Sequence, residues 1–189
     1  MLSVVIATHD SERALLPTLA ALVAGAAAGL VREVIVADAG SRDATAAIAD
    51  GAGCRVLVST QARGARLKAA ADAARAPWLL FLRPGLVLDA TWVDDTRHFI
   101  EVVDRRDCAG TYATVSRAAA FRPTVLEALV LLCAALRPKP NASQGLLIAR
   151  TLYDALGGHR DVAEPERDLV RRLSRRQLVL LRSGATIGP

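Results

Sequence analysis

Glu33-Val-Ile-Val-Ala-Asp-Ala-Gly-Ser-Arg-Asp-Ala-Thr45 passes from an apolar, β-branched run into a turn of small and acidic residues, then into a helix start. Residues 33–37 have the composition of a strand, and Asp38 stands at its C-terminal end. Asp43 has the chemistry of an N-cap for a short helix through Ala49. The same order recurs on either side. Leu2–Thr8 is an apolar strand followed by a helical stretch over residues 12–28, with Pro17 suited to open its regular part. Residues 55–59 lead into an Ala-rich helix over 64–74, and Trp78–Leu82 is a fully apolar strand stopped by Pro84-Gly85. This alternation predicts an α/β fold: a Rossmann-like, mostly parallel sheet with helices on both faces. Ligands of such sheets bind beyond the C-terminal strand ends, here 8–10, 38–41, 59–63 and 83–85.

Beyond residue 90 the pattern reads as a helix over 91–103, a strand over 111–116 and an apolar helix over 123–136. A strand over 145–149, a helical turn over 151–156 stopped by Gly157-Gly158, a helix from Pro165 to about Arg175 and a strand over 177–181 follow. A chain of 189 residues with 52% hydrophobic and 23% charged residues suits one domain, 1–189. Cys54, Cys108 and Cys133 are odd in number and widely spaced, which argues against a disulfide framework or zinc site. The start lacks a signal peptide's basic and apolar regions, and the run 125–136 is interrupted by Glu127. The expectation is a cytoplasmic protein.

The net charge of +5 is concentrated late, at Arg167, Arg171, Arg172, Arg175, Arg176 and Arg182. Such a cluster is either a solvated helix face or a surface for phosphates and anionic lipid, giving peripheral contact with the inner face of the membrane. No aromatic platform accompanies it, so nucleic acid is not an expected partner.

Four stretches in order resemble family-2 glycosyltransferases. Ser3-Val-Val-Ile-Ala-Thr-His-Asp-Ser-Glu12 is similar to the family's first strand and Pro-Thr-x-Asn-Glu-Glu turn. Glu33 to Thr45 resembles its strand followed by Asp-Gly-Gly-Ser-x-Asp-Gly-Thr. Arg63-Gly-Ala-Arg-Leu-Lys68 and Pro77-Trp-Leu-Leu-Phe-Leu82 resemble its Arg-Gly-x-Gln-x-Asn helix and the strand before the metal-binding Asp-x-Asp. Gln144-Gly-Leu-Leu-Ile-Ala-Arg150, Tyr153-Asp-Ala-Leu-Gly-Gly158 and Asp168-Leu-Val-Arg-Arg-Leu173 resemble the acceptor side, with its Asp-Gln-Gly, Leu-Gly-Gly and Glu-Asp motifs. The resemblance implies a GT-A fold, with a nucleotide-sugar-binding half over about 1–95 and an acceptor-side half over about 96–189.

It also implies transfer of a sugar from a nucleotide-sugar donor, UDP-linked, to an unidentified acceptor, with inversion. Asp38 would accept the uracil imino proton; the same residue also reads as an Asx turn capping its own loop. Thr8, Asp10 and Arg63 fall on positions lining the same pocket. Arg83-Pro84-Gly85 replaces the metal-binding acids and Ser143 the acid of Asp-Gln-Gly, while Pro165-Glu166 keeps one carboxylate of the Glu-Asp pair. The expectation is therefore that no metal takes part, although Mn or Mg is the family norm. Arg83 would then offset the diphosphate charge, or else simply face solvent. Glu166 is the candidate catalytic base, with Asp168 and Glu164 in reserve, although acids also suit a helix's first turn for its dipole alone. A catalytically silent descendant that binds a nucleotide or a protein is the alternative reading of the same losses.

Overall fold

Strand β1 (Leu2–Thr8) is buried along its whole length, and its alternate side chains feed two separate cores. Leu2, Val4 and Ile6 point to one face, and Val5 and Ala7 to the other. A strand with two apolar faces has to be covered on both, and helices do so here. The computed structural model describes residues 1–103, 109–114, 145–174 and 177–187.

Among the described residues one sheet of eight strands runs in the order β3-β2-β1-β4-β7-β6-β8-β5. Its strands are β1, β2 (Val31–Asp38), β3 (Arg55–Val58), β4 (Trp78–Leu82), β5 (Leu86–Leu88), β6 (Ala109–Thr114), β7 (Leu146–Ala149) and β8 (Leu178–Ile187). The first four pair in parallel, with Ile6 beside Val36 on one side and Leu82 on the other. Strand β7 joins β4 antiparallel, β6 runs antiparallel to β7, and β8 lies parallel to β6.

On the first face, helices α1 (Glu12–Ala27), α2 (Thr45–Gly51) and α4 (Trp92–Val103) contribute Leu15, Leu22, Ala49, Trp92 and Phe99 to the core. On the second, α3 (Arg63–Ala73), α5 (Arg150–Ala155) and α6 (Pro165–Arg172) bury Leu67, Ala70, Leu152, Tyr153 and Leu169. The mostly parallel sheet with helices on both faces is thus observed. Among the described residues no helix is long and apolar enough to cross a membrane.

Several local expectations are corrected. Helix α1 starts at Glu12 rather than at Pro17, because the Leu15 N–H already closes onto Ser11 O at 2.8 Å. Pro17 then removes only one donor from a running helix. Helix α2 begins at Thr45 with Ala44 at its N-cap, one residue later than a cap at Asp43 implies. The Asp43 carboxylate is divided: Oδ1 accepts from Thr45 N at 2.9 Å and Oδ2 from Glu12 N at 3.1 Å, which ties α2 to α1. Strand β5 is three residues long, too short for periodicity to reveal, and exists through its antiparallel pairing with β8. That same pairing extends β8 to Ile187. The expected helix over 123–136, Ser143, Arg175 and Arg176 lie outside the described residues.

Gly25 shows how closely α1 approaches α4: a Cβ there would meet the Trp92 ring at 2.4 Å. Trp92 is fully buried and its indole N–H donates to Ala21 O at 3.1 Å, so the ring has nowhere to retreat. Alanine at a helical glycine gains about 1 kcal/mol in propensity. Overpacking against a fixed ring costs about 1–3 kcal/mol. Two ring atoms at 2.4 Å put the overpacking at the upper end of that range, so Gly25→Ala is expected to destabilise by about 2 kcal/mol in urea unfolding; equal or greater stability contradicts this packing.

Candidate functional site

The C-terminal ends of β1 and β2 are joined by one carboxylate. Asp38 is 1% exposed, and its Oδ1 accepts from Thr8 Oγ1 at 2.7 Å and Ser41 Oγ at 2.5 Å. Its Oδ2 accepts from Gly40 N at 2.9 Å and Ser41 N at 2.7 Å. Burial pushes this carboxyl's pKa up, yet the bonds from Ser41, Thr8 and Gly40 outweigh it and hold the pKa below the usual range. Asp10 crosses to the same loop, donating its N–H to Ser41 Oγ at 2.9 Å and accepting from Arg42 N at 2.7 Å. Its φ of 44° lies in the left-handed region, which Asp and Asn tolerate best among side-chain-bearing residues. That explains how aspartate can occupy the asparagine position of the resemblance.

Arg66 is the residue that sequence reading passes over. An arginine in an Ala-rich helix reads as solvated, but this one is buried. Its guanidinium donates to Thr8 O at 3.0 Å, Ala37 O at 2.6 Å and Gln61 O at 3.1 Å, clamping the ends of β1 and β2 to the start of α3. The available signal was its i+3 spacing from Arg63, at the position where the resemblance has glutamine.

The second group of residues meets around Glu166, in the first turn of α6. Arg63, from the first turn of α3, donates Nε to Glu166 Oε1 at 2.7 Å, and its terminal nitrogen lies 2.7 Å from the same oxygen. Arg83, just past β4, approaches Oε2 at 3.5 Å. Burial raises the Glu166 pKa, but the hydrogen bond and charge of Arg63, aided by Arg83, bring it below the usual range. Gly64 makes this meeting possible: a Cβ there would lie 1.9 Å from Arg160 O, so only glycine lets α3 approach the segment leading into α6.

Asp168 faces elsewhere, pairing at 3.0 Å with Arg172, which also donates to Gly158 O at 2.6 Å. Glu164 is exposed and pairs with Arg167 at 2.8 Å. Arg172 and Arg167, two members of the late arginine cluster, therefore have partners within the fold. His159 is buried, and burial lowers its pKa to about 4, so the ring is neutral. Its backbone N–H donates to Tyr153 Oη at 3.1 Å, while the phenol meets Nδ1 at 2.9 Å.

Thr8, Asp10 and Asp38 thus form one cluster, and Arg63, Arg83 and Glu166 another, with Arg66 between them. Both lie at the C-terminal edge of the parallel strands, where open α/β sheets bind ligands. An apolar cleft of about 560 Å³ between α1, β2 and α2, lined by Leu19, Leu22, Val34 and Ile48 among others, presents no charged side chain and suits no phosphate.

The profile of glycosyl transferase family 2 matches residues 3–101, just over half of the chain. The chain belongs to glycosyl transferase family 2. Its structure is similar to glucosyl-3-phosphoglycerate synthase from Mycobacterium tuberculosis, solved with Mn2+, UDP and glucosyl-3-phosphoglycerate. The identity is 20% and the TM-score 0.66, with 100% of this chain and 70% of that one covered. The same enzyme with Mg2+ and UDP gives 20%, 0.69, 100% and 69%. S. aureus TarS 1-349 with UDP gives 15% and 0.70, covering 100% of this chain and 61% of that one. At such identities the likeness establishes the GT-A fold. A search of curated protein sequences finds no match.

The glucosyl-3-phosphoglycerate synthase structures correct the expectation that no metal takes part, since they are solved with Mn2+ or Mg2+ beside UDP. The physical reason is that a diphosphate supplies oxygen ligands of its own, so loss of protein carboxylates does not by itself remove the cation. The described residues do not build a cage for one unaided. No three His, Cys, Asp or Glu side chains among them gather around a common point. Asp89, the first acid after Arg83, has its carboxylate taken up by Thr91 and by the Gly184 N–H.

Asp38→Asn removes the negative charge that two hydroxyls and two backbone N–H groups face. The expected loss is about 1.5–3 kcal/mol in chemical unfolding, the range for hydrogen bonds to a charged group. Because the folded pKa is depressed, this carboxylate stabilises fully above its unfolded pKa, and the benefit disappears as pH falls through the folded one. Acidification from about pH 5 to about pH 3 should therefore cost the parent more stability than the variant. Parallel acid profiles would contradict the assignment.

Proposed function

We propose that the chain transfers a sugar from a UDP-type nucleotide-sugar donor to an acceptor hydroxyl, inverting the anomeric centre. The observation that supports this best is a buried carboxylate held by two guanidiniums at the ligand-binding edge of a GT-A sheet. Residues 1–95 supply the nucleotide side and 96–189 the acceptor side. The relatives' UDP, and the UDP-GlcNAc bound in S. aureus TarS, support the choice of donor class.

In this reading Thr8, Asp10, Asp38 and Arg63 line the nucleotide wall. Asp38 can take the uracil imino N–H by exchanging one of its four donors, most readily the mobile hydroxyl of Ser41, so its hydrogen-bond count is kept. Arg83 meets the diphosphate, whose charge grows as the sugar departs. Glu166 Oε2 accepts the acceptor's hydroxyl proton. The freed oxygen lone pair forms the bond to the anomeric carbon as the bond to the diphosphate breaks, and that electron pair leaves on the phosphate oxygen. Direct displacement of this kind inverts the centre. Arg63 keeps Glu166 in place through Oε1.

UDP-glucose and UDP-GlcNAc, each with Mn2+, provide the test, with release of UDP as the readout. Glu166→Gln is expected to lower turnover by about 10²–10⁴-fold, the range for removing a general base. Turnover unchanged in the variant would move the proton acceptor elsewhere. UDP binding with no turnover of either donor, even as hydrolysis, would instead support a nucleotide-binding module.

A further inference from the structure

Resting on the donor reading above, we infer that Arg83 is shared between Glu166 and the donor's diphosphate, so that an occupied donor site releases the base for the acceptor. The two oxygens of Glu166 are held unequally. Oε1 receives Arg63 at 2.7 Å through two nitrogens, whereas Oε2 is buried, makes no hydrogen bond and has Arg83 3.5 Å away. A fully formed guanidinium–carboxylate contact is shorter, about 2.7–2.9 Å. The Arg83 contact is a loose ion pair.

Arg83 is also incompletely satisfied, since its buried Nε has no hydrogen-bond partner. Its side chain is 42% exposed against 10% for Glu166. Of the two, only the arginine has room to turn toward the strand-end crevice. A diphosphate offers several charged oxygens in a geometry that a guanidinium binds at two points, and so competes well against one loose contact. When Arg83 turns, Arg63 still holds Oε1, and Oε2 is left as an open proton acceptor of increased basicity. With the donor absent, the same oxygen is screened by Arg83. The arrangement favours donor binding before proton removal and limits the base's action on an empty site.

Because Glu166 and the diphosphate compete for one cation, removing the Glu166 charge should tighten nucleotide binding, and only through Arg83. UDP affinity is measured by titration calorimetry, with Mn2+ in every buffer, for the parent, Glu166→Gln, Arg83→Gln and the double variant. Glu166→Gln is expected to bind UDP about three- to tenfold more tightly than the parent, and Arg83→Gln more weakly. In the Arg83→Gln background, adding Glu166→Gln should change affinity by less than about twofold. Equal tightening in both backgrounds would assign the competition to Arg63 and overturn the inference. Unchanged or weaker binding by Glu166→Gln would overturn it too, with the donor reading intact. A parent that fails to bind UDP overturns the donor reading and this inference together. Circular dichroism checks that each variant folds. If Glu166→Gln does not, the carbon-13 titration of the Glu166 carboxyl in the parent carries the test. Its midpoint must rise when UDP binds, and an unmoved midpoint overturns the inference.

Discussion

The contact between Arg63 and Glu166 is the constraint on which the site depends. The two residues are 103 positions apart in sequence, and their ion pair at 2.7 Å brings the first turn of α3 against the first turn of α6. A buried carboxylate without its partner is costly, so this pair also fixes where α6 can sit. Glycine at position 64 is its steric precondition, because any side chain would strike Arg160 O. The Arg-Gly dipeptide at 63–64 thus has two linked roles. One residue makes the bond and the other makes room for it.

Around this pair the strand ends are organised by buried polar groups rather than by apolar packing. Arg66 gathers carbonyls from β1 and β2, and Asp38 gathers N–H and O–H groups from Thr8 and its own turn. Both groups thus find their partners within the fold. The contrast with Arg83 is instructive: in the same crevice, its guanidinium has an orphaned nitrogen and a distant partner. In the proposed reading, full pairing at the nucleotide wall and a loose contact at Arg83 suit a site that holds one part of its ligand and responds to another.

Much of this was legible in sequence, and the limits are physical. Strands buried on both faces announce themselves as continuous apolar runs; Leu2–Thr8 and Trp78–Leu82 were read to the residue. Elements made by long-range pairing did not, as β5 and the extension of β8 show. Arg66 was missed because burial of an arginine depends on carbonyls that only the folded chain brings together. Glu166 and Arg83 were each legible as candidates, but their pairing was not, since nothing in local sequence joins α6 to the end of β4. The metal expectation failed for a related reason: it counted protein carboxylates, whereas a diphosphate brings oxygen ligands of its own.

In the proposed reading the donor's diphosphate rests at Arg83, beside Glu166. A crystal structure of the chain soaked with UDP and Mn2+ tests it most directly. The expected result is uracil against the 38–41 loop, phosphate oxygens within hydrogen-bond distance of the Arg83 guanidinium, and Glu166 still held by Arg63. UDP bound away from this edge, or bound here with Arg83 turned from the phosphates and closed on Glu166, would contradict it.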